Sequence, residues 1–467
     1  MKMIPVIVLA LTMAVPLSAL AVSKIFPYNY LIDDFPNGLR LITIPTDYPN
    51  LIASYIVVRT GSRNEVEPGK SGFAHLFEHL MFRGTEKFPS EKYDRILKNA
   101  GADQNAYTSD DRTVYHTVLS KEDFDQIMML EADRFQNLKV PVDLFKTETR
   151  AVLGEYNKNS SNPLNKLLEV ARDTAFSTHT YKHTTMGFIQ DVENMPNMYD
   201  YSLQFFQRYY RPQNTVIMVV GDITHDLALS TVKKYWSGWK PSDFKPQIPV
   251  EPLQTGERKA HVDWQTPTLP WVLVAFKGPA YSDEQKDMAA MDLISNLGFS
   301  ESSDLYQRLV VKEQKVDSLL PVFQDQADPY LVMSIARVKN PSDMDYVREQ
   351  IEKTFDSFKS DKVSRDKLEQ VKSHLKYEFA LRLDNSDSIA SNLASYIALR
   401  RTPETINKLF DLYATVSPED LQLFANKYFV TDHRTIVTLS RADGSRGNAS
   451  PGNASHGGAS REEKDRE

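Results

Sequence analysis

The 467-residue sequence contains no cysteine, which excludes disulfide bonds, thiolate metal ligands and thiol nucleophiles. Beyond the first stretch of the chain it also lacks any run of about 18 consecutive apolar residues, the length that a membrane-spanning helix needs. Basic clusters are missing too, and the formal net charge is −7, so we expect no nucleic-acid partner. Hydrophobic residues make up 41% of the chain, which is enough to form the cores of two or more domains.

The two ends of the chain differ in composition from the rest. Residues 1–21 form a short apolar run that contains Pro5 and Pro16 but no arginine, and the run ends in small residues. This pattern predicts a cleaved secretory signal peptide and a mature chain that begins near Val22, with no membrane span. We expect a periplasmic protein, with secretion as the alternative. Residues 441–467 repeat the sequence GNAS and lack large apolar residues, which predicts a disordered tail.

Between the two ends, one comparison indicates a duplicated organisation. Aromatic residues, a turn and then a β-branched strand occur in that order in 205–222 (FFQRYYRPQNTVIMVVGD) and again in 423–440 (LFANKYFVTDHRTIVTLS). We therefore predict two α+β domains, at 22–240 and 255–440, joined by a proline-rich linker at 241–254.

Local signals at the start of the first half predict three elements. Asn37-Gly38 between two apolar runs predicts a β-hairpin. The apolar segment 51–62 is typical of a strand inside a sheet. The residues that follow Gly72 favour a helix that ends at Gly84.

That predicted helix carries HLFEH at residues 75–79. Residues four apart lie on one helical face, so His75 and His79 could bind one ion between their imidazoles. Zn²⁺ accepts imidazole nitrogen, but a hydrolytic site needs three protein ligands and a base, for which Glu78 is suitably placed. Two histidines that only cap or pack the helix remain the alternative on these residues alone.

H-x-x-E-H is the inverzincin signature. The segment GFAHLFEHLMFRGT resembles the catalytic helix of the pitrilysin and insulinase metallopeptidases, above all the mitochondrial processing peptidase β-subunit and its bacterial relatives. That family takes its third zinc ligand from a glutamate about 76 residues further on, and Glu155 stands 76 residues after His79. The segments at 105–116 and 181–195 also resemble the family.

The resemblance implies a zinc-dependent endopeptidase that acts on peptides or unfolded polypeptides. It implies two homologous α+β domains, each a mostly antiparallel sheet packed with helices, which together form half of a clam-shell chamber. One zinc ion would be bound by His75, His79 and Glu155, with Glu78 as general base. Glu148, two turns before Glu155 on the same helical face, would orient a histidine.

The family resemblance also implies which strand would bind the substrate. An edge strand containing Asn105, Ala106 and Tyr107 would pair with the backbone of an extended peptide. Such pairing does not depend on the side chains of the peptide, and it therefore fits broad specificity.

The second half departs from the family pattern. In SSDLYQRLVVKEQKVDS, Asp304 stands where active relatives have an arginine and Asp317 where they have a tyrosine, while Arg308 is about one helical turn from the expected place. A carboxylate at neutral pH cannot donate a hydrogen bond to an oxyanion. We therefore favour a heterodimer in which a paralogous subunit supplies the Arg/Tyr pair, and a slipped alignment is the alternative.

The sequence allows a rival function and contains a second pair of histidines. A non-catalytic scaffold or peptide-binding subunit is the rival function, although such a protein would not need to keep the four residues of the zinc site. HTYKH, which places His179 and His183 four residues apart, has no suitably placed glutamate, and we interpret the pair as a surface coincidence.

Overall fold

A computed structural model describes residues 24–442, which form two α+β halves, each built on one sheet. The predicted signal peptide and nearly all of the predicted tail lie outside the described residues. The first sheet has the order β1-β2-β6-β3-β5-β4 and the second β7-β11-β8-β10-β9. The strands are β1 (Leu31–Asp34), β2 (Arg40–Pro45), β3 (Leu51–Val58), β4 (Asp103–Thr108), β5 (Thr113–Ser120), β6 (Thr215–Gly221), β7 (Arg258–Trp264), β8 (Trp271–Lys277), β9 (Val316–Phe323), β10 (Leu331–Val338) and β11 (Arg434–Arg441).

The two sheets repeat one topology. Strands β2-β6-β3-β5-β4 of the first sheet correspond in order to β7-β11-β8-β10-β9 of the second. Within each set the first pair is parallel, and every other pair is antiparallel. The predicted fold class, two similar α+β units with mostly antiparallel sheets, is therefore confirmed.

Helices cover both faces of each sheet. None of the helices between residues 24 and 442 combines the length and the apolar character that crossing a bilayer requires. The helices are α1 (Phe73–Leu80), α2 (Ser90–Asn99), α3 (Phe124–Asn137), α4 (Val142–Ser160), α5 (Pro163–Ala175), α6 (Ile189–Asn194), α7 (Tyr199–Tyr209), α8 (His225–Trp236), α9 (Lys286–Phe299), α10 (Asp304–Tyr306), α11 (Met344–Ser360), α12 (Arg365–Leu381), α13 (Ser386–Arg400), α14 (Glu404–Thr415) and α15 (Pro418–Tyr428).

One helix from each half packs on the sheet of the other half. Helix α5 contributes Leu167 and Ala171 to a core with Leu273 of the second sheet. Helix α13 contributes Leu393 to a core with Tyr55 of the first sheet, and the Tyr55 hydroxyl donates a 2.8 Å hydrogen bond to Asp387. The two halves therefore share cores. The domain boundaries predicted from the sequence divide the chain into contiguous segments and do not include this exchange of helices.

The local predictions of the first half agree with the structure. Strands β1 and β2 form an antiparallel hairpin around Gly38, whose φ is 88°. Strand β3 lies inside its sheet and is buried on both faces, which explains its continuous apolar sequence. Residues 241–254 contain no helix or strand, and Glu251 in this segment accepts backbone N–H groups from Thr178 and His179.

Candidate metal centre

Helix α1 positions the histidines because its opposite face is held in the core. Phe73, Leu76 and Phe77 are almost fully buried in the main core of the first half. Phe77 stacks on Phe205 with ring centroids 5.3 Å apart. His75, 7% exposed, therefore projects away from that core toward a cavity.

A buried carboxylate fixes the start of this helix. Glu65 accepts the backbone N–H of Gly72 and that of Ala74, each at 2.7 Å. These two contacts satisfy two free donors at the start of the helix. Burial raises the pKa of Glu65 to about 8. Gly72 adopts a left-handed conformation with φ of 90°, which lets the chain turn sharply into the helix. No local sequence pattern predicts this role of Glu65, because its contacts depend on how the loop before the helix folds.

Helix α4 brings Glu155 to the two histidines. Nε2 of His75 lies 3.3 Å from Nε2 of His79, and Oε2 of Glu155 lies 3.6 Å and 3.4 Å from those two nitrogens. Ligands at about 2.0–2.1 Å from a tetrahedral ion stand roughly 3.3–3.4 Å apart, so this triangle has the size of three Zn²⁺ ligands. Among the described residues these three form the candidate metal-binding group of histidines and carboxylates.

The electrostatics of the group also suit a metal. Burial and the neighbouring His79 hold the pKa of His75 well below its ordinary value, which keeps the imidazole neutral. A neutral imidazole has the free lone pair that coordination requires. Nδ1 of His75 is buried and has no hydrogen-bond partner among residues 24–442.

Glu148 lies behind His79, where the resemblance places it. Its side chain is 4% exposed, and Oε2 stands 4.0 Å from Nδ1 of His79. Arg83 holds the carboxylate through two contacts of 2.9 Å, from Nε and Nη2. The structure thus brings Glu148 to the nitrogen of His79 that faces away from the candidate ligand cluster.

Glu78 lies on the same helix, and its side chain reaches the end of strand β4. Oε2 of Glu78 accepts a 2.7 Å hydrogen bond from the hydroxyl of Thr108. Burial raises the pKa of Glu78 above its ordinary value. A carboxyl group with a raised pKa can exchange protons nearer neutrality than an exposed glutamate.

The cavity beside these groups has a volume of about 380 Å³. Every side chain that lines it belongs to the first half. They are His75, Glu78, Tyr107, Thr108, Glu155, Tyr156, Asn159, Ser160, Asn165, Leu168, Glu169, Thr184, Thr185 and Met186.

Strand β4, which contains Asn105, Ala106 and Tyr107, is one of the two edge strands of the first sheet. Its register places Ala106 opposite Tyr115 of β5. Tyr107 lines the cavity, and the other two residues lie further along the same strand. The position at an edge leaves one side of the strand available for pairing.

The interpretation of His179 and His183 as a surface coincidence is wrong. Both are buried, at 3% and 4% exposed. Nε2 of His179 lies 2.9 Å from Asp328 of the second half, and Nδ1 of His183 lies 3.7 Å from Glu65. The segment is short and polar in sequence, but it is covered by residues that are distant along the chain.

The two aspartates of the second half do not line the metal cavity. Asp304 begins α10, is exposed, and pairs with Lys367 at 2.9 Å. Asp317 lies on β9 and pairs with Arg337 at 3.3 Å. Arg308 donates to Gln350, and it is also absent from the cavity wall.

Both halves of the chain match models of one protein family. Residues 42–188 match the family model described as insulinase (peptidase family M16), and residues 199–375 match the one described as the peptidase M16 inactive domain. The chain belongs to peptidase family M16.

Relatives in this M16 family cover most of the chain. "Zinc protease PqqE" of Helicobacter pylori is 29% identical over 410 residues, which is 86% of this chain and 91% of that protein. "Probable mitochondrial-processing peptidase subunit beta, mitochondrial" of Arabidopsis thaliana is 24% identical over 416 residues, 85% and 76% of the two chains. The crystal structure of a protease from Helicobacter pylori has a TM-score of 0.82 at 28% identity and covers 88% of this chain and 99% of that one.

Proposed function

We propose that this M16 chain is a zinc-dependent endopeptidase that hydrolyses peptides or unfolded polypeptides and binds one zinc ion. The observation that carries the proposal is the triangle formed by His75, His79 and Glu155, with edges of 3.3 to 3.6 Å. His75 and Glu155 line one cavity together with Glu78. The relative named a zinc protease supports it.

Each role follows from the position of the side chain. The three ligands would leave a fourth position that faces the cavity. Bound zinc supplies Lewis acidity, which polarises a scissile carbonyl and acidifies water. Glu78, with its raised pKa, would take a proton from the attacking water and pass it to the leaving amine. Glu148 would hold the ring of His79 in orientation.

The substrate would bind as an added strand. We propose that the backbone of an extended peptide pairs with β4 along Asn105, Ala106 and Tyr107, which leads it past Thr108 and Glu78. Backbone pairing accepts many side chains, so the proposed substrate class is broad.

We further propose that the chain is the zinc-bearing subunit of a heterodimer and forms half of a clam-shell chamber. The metal cavity is lined only by the first half, and Asp304 and Asp317 replace the Arg/Tyr pair. A paralogous subunit would supply that pair, and the similar chain from Arabidopsis thaliana is itself named a subunit. We propose a periplasmic location, which the signal peptide predicted for residues 1–21 supports.

The test compares the mature chain with Glu78→Gln and Glu155→Gln, and with Glu91→Gln as a control at an exposed position of α2. Each variant is assayed for zinc content and for peptide hydrolysis, alone and after co-expression with a paralogous subunit. We expect one zinc per chain in the wild type, Glu78→Gln and the control. Glu155→Gln should lose zinc.

Turnover should be weak or absent for the chain alone, should need the partner, and should vanish in Glu78→Gln. Hydrolysis by the isolated chain at about 1–10³ s⁻¹ would contradict the heterodimer. Zinc without turnover in every combination would contradict the peptidase and favour a scaffold or peptide-binding subunit.

A further inference from the structure

A second cleft lies on the other side of the turn between α4 and α5. It encloses about 670 Å³ and shares Asn159 and Asn165 with the metal cavity. Its far wall comes from the second half, through Trp271 of β8 and Arg337 of β10. It is therefore a place where both halves of the chain meet beside the metal centre.

We propose that this cleft is a subsite that binds a carboxylate of the peptide substrate, a few residues away from the scissile bond. The proposal rests on the proposed peptidase function. The carboxylate can come from an acidic side chain or from the free C-terminus of the peptide, and the two sources share the same chemistry.

The charge of the cleft supports an anionic ligand. Lys158 and Arg337 line it, and none of its lining residues is acidic. The metal cavity on the other side of the turn carries three carboxylates, from Glu78, Glu155 and Glu169. In a chain with a net charge of −7, a cleft with two cations and no acid selects for negative charge.

The side chains of Arg337 and Trp271 have a fixed arrangement in the cleft, and some of their hydrogen-bond donors have no protein partner. Arg337 and Trp271 are directly paired across β10 and β8, and the guanidinium carbon lies 5.6 Å from the indole ring centroid. Nη1 of Arg337 donates to Asp317, while Nε of Arg337 and Nε1 of Trp271 are buried and have no hydrogen-bond partner among residues 24–442. A planar guanidinium held against an aromatic face presents a fork that fits a carboxylate in two-point contact.

No acidic neighbour blocks these two cations. Asp317 contacts Nη1 of Arg337 at 3.3 Å, but both side chains are close to half exposed, and such a pair is weak. Lys158 is exposed and has no ion-pair partner within the described part of the chain. A substrate carboxylate can therefore displace Asp317 from Arg337 at little cost in free energy.

The position of the cleft fits an extended peptide. A strand paired with β4 would pass Tyr107 and the metal cavity, and it would then meet Asn159 of α4 and Asn165 of α5, which flank the turn between these helices. Each extended residue advances the chain by about 3.3 Å, so the cleft on the far side of this turn is reached within a few residues. The subsite would add a preference for negative charge to the otherwise nonselective pairing with β4.

The experiment measures peptide binding rather than turnover. Zinc-treated Glu78→Gln chain, with the paralogous subunit present if activity requires it, is titrated with fluorescein-labelled neutral peptides. A single glutamate is moved along the peptide, with glutamine as its isosteric partner, and each peptide is made with a free and an amidated C-terminus. The same titrations are repeated after adding Arg337→Gln, Arg337→Glu, or Arg365→Gln, which removes one exposed cation from α12 on the opposite side of the second sheet.

We expect glutamate at one position, or a free C-terminus, to tighten binding by about 3- to 10-fold. This gain should survive Arg365→Gln and disappear in Arg337→Gln. Arg337→Glu should reverse it, so that the glutamine peptide binds more tightly than the glutamate peptide at that position. Loss of the gain on amidation assigns the carboxylate to the C-terminus, and dependence on glutamate position assigns it to a side chain.

Equal binding of all peptides, no binding at all, or a gain that persists in Arg337→Glu would overturn the subsite. Circular dichroism of the Arg337 variants excludes misfolding as the cause of a loss. Because binding is measured without hydrolysis, absence of turnover in the activity test would contradict the proposed function and leave this comparison intact.

Discussion

Replacing Glu148 by glutamine tests how the protein supports its metal ligands. The Glu148 carboxylate, whose side chain is 4% exposed, lies between Arg83 at 2.9 Å and Nδ1 of His79 at 4.0 Å. Glutamine has nearly the same shape, so Glu148→Gln preserves the packing and removes the charge. The carboxylate favours the form of His79 that keeps a proton on Nδ1 and directs Nε2 toward His75 and Glu155.

The magnitude follows from this geometry. A ligating imidazole is neutral, so the Glu148 carboxylate interacts with the Nδ1–H dipole of His79 rather than with a second full charge. Loss of a carboxylate that supports a ligating histidine typically weakens metal binding by about 10- to 100-fold. That loss corresponds to about 1.4 to 2.8 kcal/mol. We therefore expect the Kd for zinc to rise by about 10- to 100-fold in Glu148→Gln.

The assay is competition for zinc against a chromophoric chelator at fixed pH and ionic strength. Asp143→Asn is the matched control, because Asp143 is exposed on the same helix, α4, and its replacement removes the same charge. The control should bind zinc as the wild type does. Equal zinc affinity for Glu148→Gln, Asp143→Asn and the wild type would refute the reasoning, because the carboxylate would then have no part in holding His79.

Three further predictions concern stability, each measured by urea unfolding. Burial lowers the pKa of His183 from an ordinary value of 6.5 to about 4, so the folded chain binds fewer protons than the unfolded chain between these values. The contribution of His183 to the free energy of unfolding is complete above pH 6.5 and is lost as the pH falls toward 4. His183→Asn should therefore reduce the difference in unfolding free energy between pH 7 and pH 5 by about 2 kcal/mol. An unchanged difference would contradict this. Phe77→Ala should cost about 3–5 kcal/mol, because the ring is 2% exposed and stacks on Phe205, whereas Phe77→Leu should cost clearly less. Gly154→Ala should stabilise the chain by about 0.5–1 kcal/mol, since it lies in the exposed interior of α4 with no atom within 4 Å of an added Cβ; a destabilised variant would show that the site is not open.

Much of the candidate site could be predicted because its parts are local. The spacing of His75, Glu78 and His79 places them on adjoining faces of one helix, and the left-handed Gly84 ends the helical segment at the expected place. Glu155 came only from the family resemblance, since a contact across 76 residues has no periodicity to reveal it. The structure nevertheless brings its carboxylate to within 3.6 Å of both histidines.

Other features could not be predicted because they depend on contacts between distant segments. His179 lies in a polar stretch that looks exposed, yet Asp328, 149 residues later, covers it. Glu65 is hidden in a loop until the loop folds over the start of α1. The cleft that contains Arg337 exists only because α5 packs on the second sheet.

The sequence by itself determined the hairpin of β1 and β2, strand β3 and helix α1, because hydrophobic periodicity, glycine turns and residue spacing act over a few residues. Only the tertiary structure decided that α5 and α13 pack on the sheets of opposite halves, that two histidines of a polar loop are buried, and that an acidic cavity and a basic cleft adjoin at one turn. These features arise because apolar faces of elements that are distant along the chain pack together to exclude water. No local sequence pattern predicts which two faces will pack on each other.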